Sequence, residues 1–184
     1  MSDFGWAGEH VRLVPLDEAR HFDNCVKWLN DPEITRWTLR GDFPISRLSQ
    51  KGFFERFGKD SETDVVQAVE TLDGEHVGVT GIHAIEWQHR TGVTGTLIGV
   101  RDRWGQGLGS DTIRTRSRYA FHVLGLRMLL SEVMDGNDAS LRALTKAGYV
   151  EAGRIPDRWW KRGAYRAGIQ LYLDDASWRS SQTD

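Results

Sequence analysis

The chain has 184 residues, of which 39% are hydrophobic and 27% charged, with 20 glycines and a formal net charge of -2. This length predicts a single domain over residues 1–184, and the near-neutral charge excludes the broad basic surface with which proteins bind duplex nucleic acid or anionic membranes. The single cysteine, Cys25, excludes an internal disulfide, and the histidines lack close ligand spacing, so we expect no metal. No signal-peptide pattern is present, and no stretch approaches the roughly 18 apolar residues of a membrane span, so we expect a cytoplasmic protein.

The N-terminal third of the chain predicts one strand and two helices. Apolar residues alternate over residues 10–16, which favours a strand. An amphipathic helix is predicted over residues 18–30, with Asp17 as its N-cap and Asp31-Pro32 ending it. A second helix is expected over residues 45–57.

Three strands follow and predict an antiparallel meander. Residues 64–71 and 76–87 are rich in β-branched side chains, and the pair Asp73-Gly74 between them is a strong hairpin signal. The third strand is predicted over residues 93–100.

The second half of the chain alternates helices with strands. A glycine-rich segment follows the meander and leads into a helix that stops at Gly125. The remaining elements, in chain order, are a strand over residues 126–134, a helix over 138–147, and strands over 149–154 and 168–173. The core therefore covers about residues 10–174 of an α+β domain, and residues 178–184 are expected to form a loose tail.

The glycine-rich segment reads Trp104-Gly105-Gln106-Gly107-Leu108-Gly109 and stands between a strand and a helix. This arrangement can hold phosphate, because the first N–H groups of a helix have no intrachain partner and point toward an anion. The P-loop alternative fails because no lysine occurs between Asp60 and Lys146. The dinucleotide fingerprint fits poorly, because the glycines fall at positions one, three and five and follow a meander.

This segment resembles the pyrophosphate loop of the GNAT acetyltransferases, and its Trp-Gly-x-Gly form is similar to that of the ribosomal-protein alanine N-acetyltransferase branch. A second motif downstream resembles the family pattern N-x-x-S/A, K-x-G-F/Y and G-x-R. Its residues are Asn137, Ser140, Leu141, Leu144, Lys146, Gly148, Tyr149, Gly153 and Arg154. The resemblance extends over roughly residues 11–173.

The resemblance implies a GNAT fold, with a mostly antiparallel twisted sheet of about six or seven strands flanked by about four helices. It also implies acetyl-CoA as co-substrate. In the family the loop amides bind the pyrophosphate, the strand before the loop pairs with the pantetheine arm, and one residue after the next strand hydrogen-bonds that arm. The matching residues here are Ile98, Gly99, Val100, Trp104, Gly105, Gln106, Gly107, Leu108, Gly109, Ser110 and Asn137.

The resemblance leaves the acid that protonates the departing thiolate open. Many family members carry a tyrosine seven residues after the position of Asn137, but Leu144 stands there. Ser140, whose counterpart in the ribosomal-protein branch is thought to meet the sulfur, is the candidate thiolate donor. Its alternative role is to start the helix with its hydroxyl.

The general base is equally open. Relatives often place a glutamate early on the strand before the loop, where Val93 stands, or an aspartate after the Gly163 turn, where Ala167 stands. Glu86 and His83 are the remaining candidates. An α-amine titrates near ~8 and a lysine amine near ~10.4, so water could suffice for an N-terminal amine.

The acceptor pocket of the family is built from the first helices and the loop between them. The residues expected to bind the acceptor are Asp31, Trp37, Arg40 and Trp87. The acceptor is predicted to be the α-amine of a protein or peptide. The alternatives are a small amine, an antibiotic or an amino sugar, and, outside enzymes, a non-catalytic acyl-CoA-binding module. Dimers are common among relatives, so a homodimer is an expectation.

Overall fold

Seven strands and five α-helices follow one another along residues 6–39 and 42–181, the residues that the structure, a computed structural model, describes. In chain order they are β1 (Val11–Pro15), α1 (Glu18–Leu29), α2 (Arg47–Phe57), β2 (Val65–Thr71), β3 (His76–Glu86), β4 (Thr91–Ile98), α3 (Leu108–His122), β5 (Met128–Met134), α4 (Asp138–Lys146), β6 (Val150–Lys161), β7 (Ala164–Asp174) and α5 (Asp175–Ser180). Two short 3-10 turns occur at Thr35–Trp37 and Arg101–Arg103.

The strands form one sheet in the order β1-β2-β3-β4-β5-β7-β6. All neighbours pair antiparallel except β4 and β5, which pair in parallel. The predicted meander is therefore confirmed, and so is the mostly antiparallel sheet. The Asp73-Gly74 hairpin is also as predicted, with Gly74 at φ +96°.

Local contacts explain why the start and the buried face of helix α1 could be predicted from the sequence. The Asp17 side chain accepts a hydrogen bond from the N–H of Arg20 at 2.9 Å, which satisfies one of the unpaired donors of the first turn. The apolar spacing then buries Phe22, Cys25 and Trp28 against the sheet. Helix α2 starts one residue after Ser46, which caps it.

Strands β6 and β7 are much longer than the predicted strands over residues 149–154 and 168–173. They form a hairpin that turns at Arg162-Gly163, and β6 contains a register shift between Ile155 and Trp159. Because β6 lies at the edge of the sheet and is exposed along most of its length, its side chains do not alternate between apolar and polar. The period-2 signal that marks a half-buried strand is therefore absent.

The prediction of a loose tail from residue 178 is wrong for residues 178–181. The Asp174 side chain accepts a hydrogen bond from the N–H of Ser177 at 2.9 Å and starts α5. Trp178 is only 3% exposed and packs against Phe121, with the ring centroids 6.2 Å apart. This anchor orders the segment and raises the number of α-helices from about four to five; residues 182–184 lie outside the described part.

The helices cover the two faces of the sheet. Helices α3, α4 and α5 enclose a core cluster that includes Leu129, Val133 and Ile169. Helices α1 and α2 enclose a second cluster around Phe54 and Ala68. Among the described residues, none of the helices combines the length and the apolar character that crossing a bilayer requires.

The stability of the protein is expected to depend on pH through one buried histidine, His76, which packs against α1. His76 is 8% exposed and lies between the rings of His21 and Trp28, at centroid distances of 4.5 and 4.6 Å. Its Nε2 donates to the Gly78 carbonyl at 2.9 Å, and its Nδ1 lies 3.2 Å from the Asn24 amide. Burial, with the nearby His21, lowers the pKa of His76 from 6.5 to about 4.

Below pH 6.5 the unfolded chain binds a proton at His76 that the folded chain binds only near pH 4. Acidification over this range should therefore lower the free energy of unfolding by about 3 kcal/mol through this residue. Urea unfolding of the wild type and of His76→Gln at pH 7 and pH 4.5 isolates the effect. A loss of stability on acidification that is equal in both proteins would contradict the prediction.

Candidate active site

The cavity of interest opens where β4 and β5 separate. The two strands pair only where Thr91 to Val93 lie beside Met128 to Leu130. The Thr94 hydroxyl then donates to the Leu130 carbonyl at 2.9 Å, and the Ser131 hydroxyl reaches the Thr94 carbonyl at 3.4 Å. Beyond this point a cavity of about 1030 Å³ lies between the strands.

The edge of β4 that faces this cavity has no neighbouring strand among the described residues, so its backbone groups at Thr96 and the Ile98 N–H are open to the cavity. The Gly99 N–H donates to the Val77 carbonyl on β3 at 2.9 Å. Because successive residues of a strand point in opposite directions, the N–H and C=O groups of Thr96 and Ile98 face the cavity. The Trp104 indole donates to the Ile98 carbonyl at 2.9 Å. This edge can therefore accept an extended amide-containing ligand in the manner of an added strand.

The residues predicted to follow this edge differ in their surroundings. Gly99 faces β3 and packs on Trp28, because a Cβ at this position would lie 1.9 Å from the indole ring. Val100 is half-buried, and its carbonyl accepts from the Arg103 N–H at 3.1 Å at the start of the 3-10 turn. The open edge is thus centred on Thr96 and Ile98, slightly earlier than the sequence predicted.

The glycine-rich segment forms a cradle at one end of the cavity. Gly105 and Gly107 have φ angles of +78° and +85°, which only glycine adopts readily, and Gly107 is the N-cap of α3 with no capping side chain. The first helical hydrogen bond is donated by the Asp111 N–H to the Gly107 carbonyl at 2.9 Å. Within residues 6–39 and 42–181, the N–H groups from Gly105 to Ser110 have no acceptor. They can therefore bind a diphosphate.

Gly109 adds a second reason to place a ligand here. Its φ angle is not in the left-handed region, and the nearest atom to a Cβ would be Cγ1 of Ile98 at 3.9 Å. The protein itself therefore does not require glycine at this position, and the space in front of it is free for a bound group. The Gln106 side chain turns away and donates to the Asp102 carbonyl at 2.9 Å.

The start of α4 forms the opposite wall. The Asn137 side chain accepts from the Ser140 N–H at 3.2 Å and caps the helix, and both residues line the cavity. The Ser140 hydroxyl has no hydrogen-bond partner among the described residues. Arg142 and Lys146 line the same wall and can attract phosphate. These two cations were not among the residues predicted from the sequence, although their four-residue spacing on one helix face was a usable signal.

The other end of the cavity lies on the face covered by α1 and α2. Its wall is largely apolar and includes Cys25, Leu29, Ile34, Trp37, Leu39, Phe53, Val66 and Val79. Burial also raises the pKa of the Cys25 thiol to about 12, so this cysteine is not an available nucleophile.

His83 lines this end of the cavity and is held by Asp64. Its Nδ1 lies 2.9 Å from Asp64 Oδ1, and the histidine side chain is 37% exposed. Burial alone would raise the pKa of Asp64, but hydrogen bonds from His83 and Thr63 hold it below its ordinary value. An ionised carboxylate only accepts, so Nδ1 donates, and in the neutral form of the ring Nε2 carries the lone pair. His83 also pairs in register with Val93, the position where relatives often place a glutamate.

Glu132 on β5 was not identified from the sequence. It lines the cavity, accepts a hydrogen bond from the Trp159 indole and lies 3.4 Å from Arg158 Nε. Leu129 and Val133 on the same strand belong to the core under α3 and α4, so alternation puts Glu132 on the opposite face. That alternation was a signal in the sequence, but the pairing with the β6 tryptophan was not.

The remaining predicted residues are dispersed. Trp37 lines the cavity, whereas Asp31 lines a neighbouring cavity of about 620 Å³. Glu86 and Trp87 lie at the exposed end of β3 outside the cavity lining, and the Trp87 indole donates to the Glu62 carbonyl at 2.7 Å. Arg40 lies outside the described residues.

Comparison with known proteins identifies several relatives of this chain. Residues 10–150 match the sequence profile of the Acetyltransferase (GNAT) domain. The chain is similar to the uncharacterized N-acetyltransferase YoaA of Bacillus subtilis (strain 168), with 32% identity over 89 residues. That alignment spans 48% of this chain and 50% of the relative. It is also 26% identical to the SPbeta prophage-derived uncharacterized N-acetyltransferase YokL of the same strain, over 89% of both chains.

Solved structures establish the fold. The crystal structure of spermidine N-acetyltransferase from Vibrio cholerae in complex with CoA and spermine superposes with a TM-score of 0.83 at 17% identity, covering 92% of this chain and 98% of that one. An acetyltransferase (GNAT family) from Bacillus anthracis superposes with a TM-score of 0.80 at 13% identity, covering 94% and 99%.

Proposed function

This chain belongs to the GNAT family of acetyl-CoA-dependent N-acetyltransferases, and we propose that its acceptor is the α-amine of a peptide or protein N-terminus. The observation that carries the proposal is the character of the acceptor end of the cavity. Apolar and aromatic side chains there lead to the polar groups of His83 and Glu132. A chain terminus offers one amine followed by an extended backbone whose side chains can be apolar, which suits such a groove.

A small polyamine is the second candidate, because the solved relative from Vibrio cholerae is a spermidine N-acetyltransferase. A polycation needs several carboxylates to replace its hydration. Among the described residues at this end of the cavity, the carboxylates are Glu33 and Glu132. Glu132 already accepts from Trp159 and lies near Arg158, and Arg36 lines the cavity beside Glu33. This balance favours an acceptor with a single charge.

Acetyl-CoA supplies an activated acetyl group, and the residues present fit it. The amides from Gly107 to Ser110 would hold the diphosphate with the positive end of the α3 dipole. Thr96 and Ile98 would pair with the amides of the pantetheine arm. Asn137 would contribute its side-chain amide, and the cations of α4 would face the phosphates.

Side chains of the protein then accept and donate the protons that the reaction moves. His83 Nε2 takes the proton from the acceptor ammonium, and Asp64 stabilises the imidazolium that results. The neutral nitrogen attacks the acetyl carbon, forming the C–N bond, and a backbone N–H on the open edge of β4 stabilises the oxyanion. The C–S bond then breaks and the Ser140 hydroxyl protonates the thiolate. Ser140 recovers its proton, through water, from the nitrogen that has attacked, and His83 releases its proton to solvent.

Thiol release from acetyl-CoA tests the acceptor class. We expect turnover with short unblocked peptides, with the acetyl group located on the first residue by mass spectrometry. The same peptides with a dimethylated N-terminus should not react. Acetylation of polyamines or amino sugars without acetylation of any peptide would replace the proposal with the second candidate. Acetyl-CoA binding without thiol release for any amine would indicate a non-catalytic module.

A further inference from the structure

The hairpin of β6 and β7 reaches the segment between α1 and α2. Lys161, at the end of β6, is 3% exposed. Its Nζ donates to the Thr38 carbonyl at 2.6 Å and lies 2.7 Å from Asp42 Oδ1. The next residue, Arg162, donates to the Pro32 carbonyl. These contacts join parts of the chain more than 100 residues apart.

The segment that Lys161 holds forms the acceptor wall of the cavity. Trp37, Thr38 and Leu39 line that wall, whereas Lys161 is not among the lining residues. The Trp37 ring also faces the guanidinium of Arg166 on β7, 5.6 Å from the ring centroid. The hairpin therefore supports the wall from behind.

The support is needed because this stretch has little regular structure of its own. A 3-10 turn of three residues, Thr35–Trp37, is its only helical element among the described residues between α1 and α2. A buried ammonium is costly unless it is fully paired, so the wall and the hairpin must keep their relative position for Lys161 to remain satisfied.

We propose that Lys161 is a positioning residue for the acceptor: by fastening Thr38 and Asp42 to the β6–β7 hairpin, it holds the wall at Trp37 and Leu39 in the shape that receives the acceptor. The proposal rests on the assignment of this end of the cavity to the acceptor. It predicts that loosening the fastening affects acceptor binding and leaves the acetyl-CoA cradle unchanged.

Lys161→Met keeps the aliphatic stem and removes the ammonium. We expect KM for the acceptor to rise about tenfold, with kcat and KM for acetyl-CoA within about twofold of the wild type. The matched control is Lys59→Met, which removes an exposed lysine between α2 and β2 and should leave all three constants unchanged. Amide hydrogen exchange should accelerate in residues 33–39 and stay constant in residues 105–115.

The exchange measurement does not depend on turnover, so it tests Lys161 even if the acceptor class is wrong. Unchanged exchange in residues 33–39, or a rise in KM for acetyl-CoA equal to that for the acceptor, would overturn the proposal. If Lys161→Met does not fold, Asp42→Asn removes the ion pair from the exposed side. That variant should raise the KM for the acceptor by about threefold. An unchanged KM for the acceptor would also overturn the proposal.

Discussion

Replacing Gly109 with glutamate is expected to weaken acetyl-CoA binding at least about a hundredfold without loss of the fold. The carboxylate would occupy the space in front of the α3 N-terminus, where the unpaired N–H groups from Gly107 to Ser110 point. It would both fill the diphosphate position and repel its charge. Titration calorimetry with acetyl-CoA and with CoA measures the loss, and thermal unfolding monitors the fold.

Two variants separate charge in the cradle from other effects. Gly109→Ala adds only a Cβ, for which the protein has room, and should weaken binding less than tenfold. Gly52→Glu introduces the same charge at an exposed position of α2, where no neighbouring atom lies within 4 Å of an added Cβ. It should bind acetyl-CoA as the wild type does. Gly107 is a poorer position for this test, because its φ angle of +85° makes any side chain strained. Wild-type affinity in Gly109→Glu would remove the diphosphate from this cradle.

The cradle could be predicted because its determinants are local. The spacing of Gly105, Gly107 and Gly109, and the change from strand to helix around them, lie within one short stretch. The Asn137 cap is local as well, since its carbonyl oxygen meets the N–H three residues ahead. Sequence periodicity reports such short-range geometry well.

The proposed acceptor end of the cavity could not be predicted to the same degree, because its parts meet through long-range pairing. Glu132 is held by Trp159 on β6, a strand whose exposed edge gives no alternation. Lys161 reaches Thr38 across 123 positions of the chain. Glu86 illustrates the converse, because its place on the strand suggested a base but the strand ends outside the cavity. Neither the contact between Glu132 and Trp159 nor that between Lys161 and Thr38 leaves a pattern in the neighbouring residues.

The proposed base, His83, was predictable in part. His83 was a candidate from the sequence, but its partner was not, because Asp64 meets it only when β2 and β3 pair. The register then places His83 beside Val93, so a histidine on the neighbouring strand stands close to the position of the missing glutamate. The histidine, its carboxylate partner and the position of the missing glutamate thus come together only once the sheet is formed.

Replacing His83 with glutamine is expected to lower kcat for a peptide acceptor about a hundredfold, the usual contribution of one general base. Glutamine can still donate to Asp64 but has no basic nitrogen. Asp64→Asn should lower kcat about tenfold, because the imidazole loses the group that fixes its tautomer and stabilises its charge. His89→Gln, in the exposed turn after β3, is the matched control and should be unaffected. Acetyl-CoA affinity should be unchanged in all three.

Chemical rescue distinguishes a base from a residue that only maintains the wall. In His83→Ala, added imidazole should restore part of the lost rate, because it can enter the space left by the ring and accept the same proton. Ser140→Ala should also lose rate, but imidazole should not restore it, since Ser140 protonates the thiolate and not the acceptor amine.

Undiminished turnover in His83→Gln would mean that water accepts the proton, which an α-amine titrating near ~8 permits and a lysine amine near ~10.4 does not. Even that result would therefore favour an N-terminal acceptor, because only an amine that is already partly neutral can dispense with the imidazole.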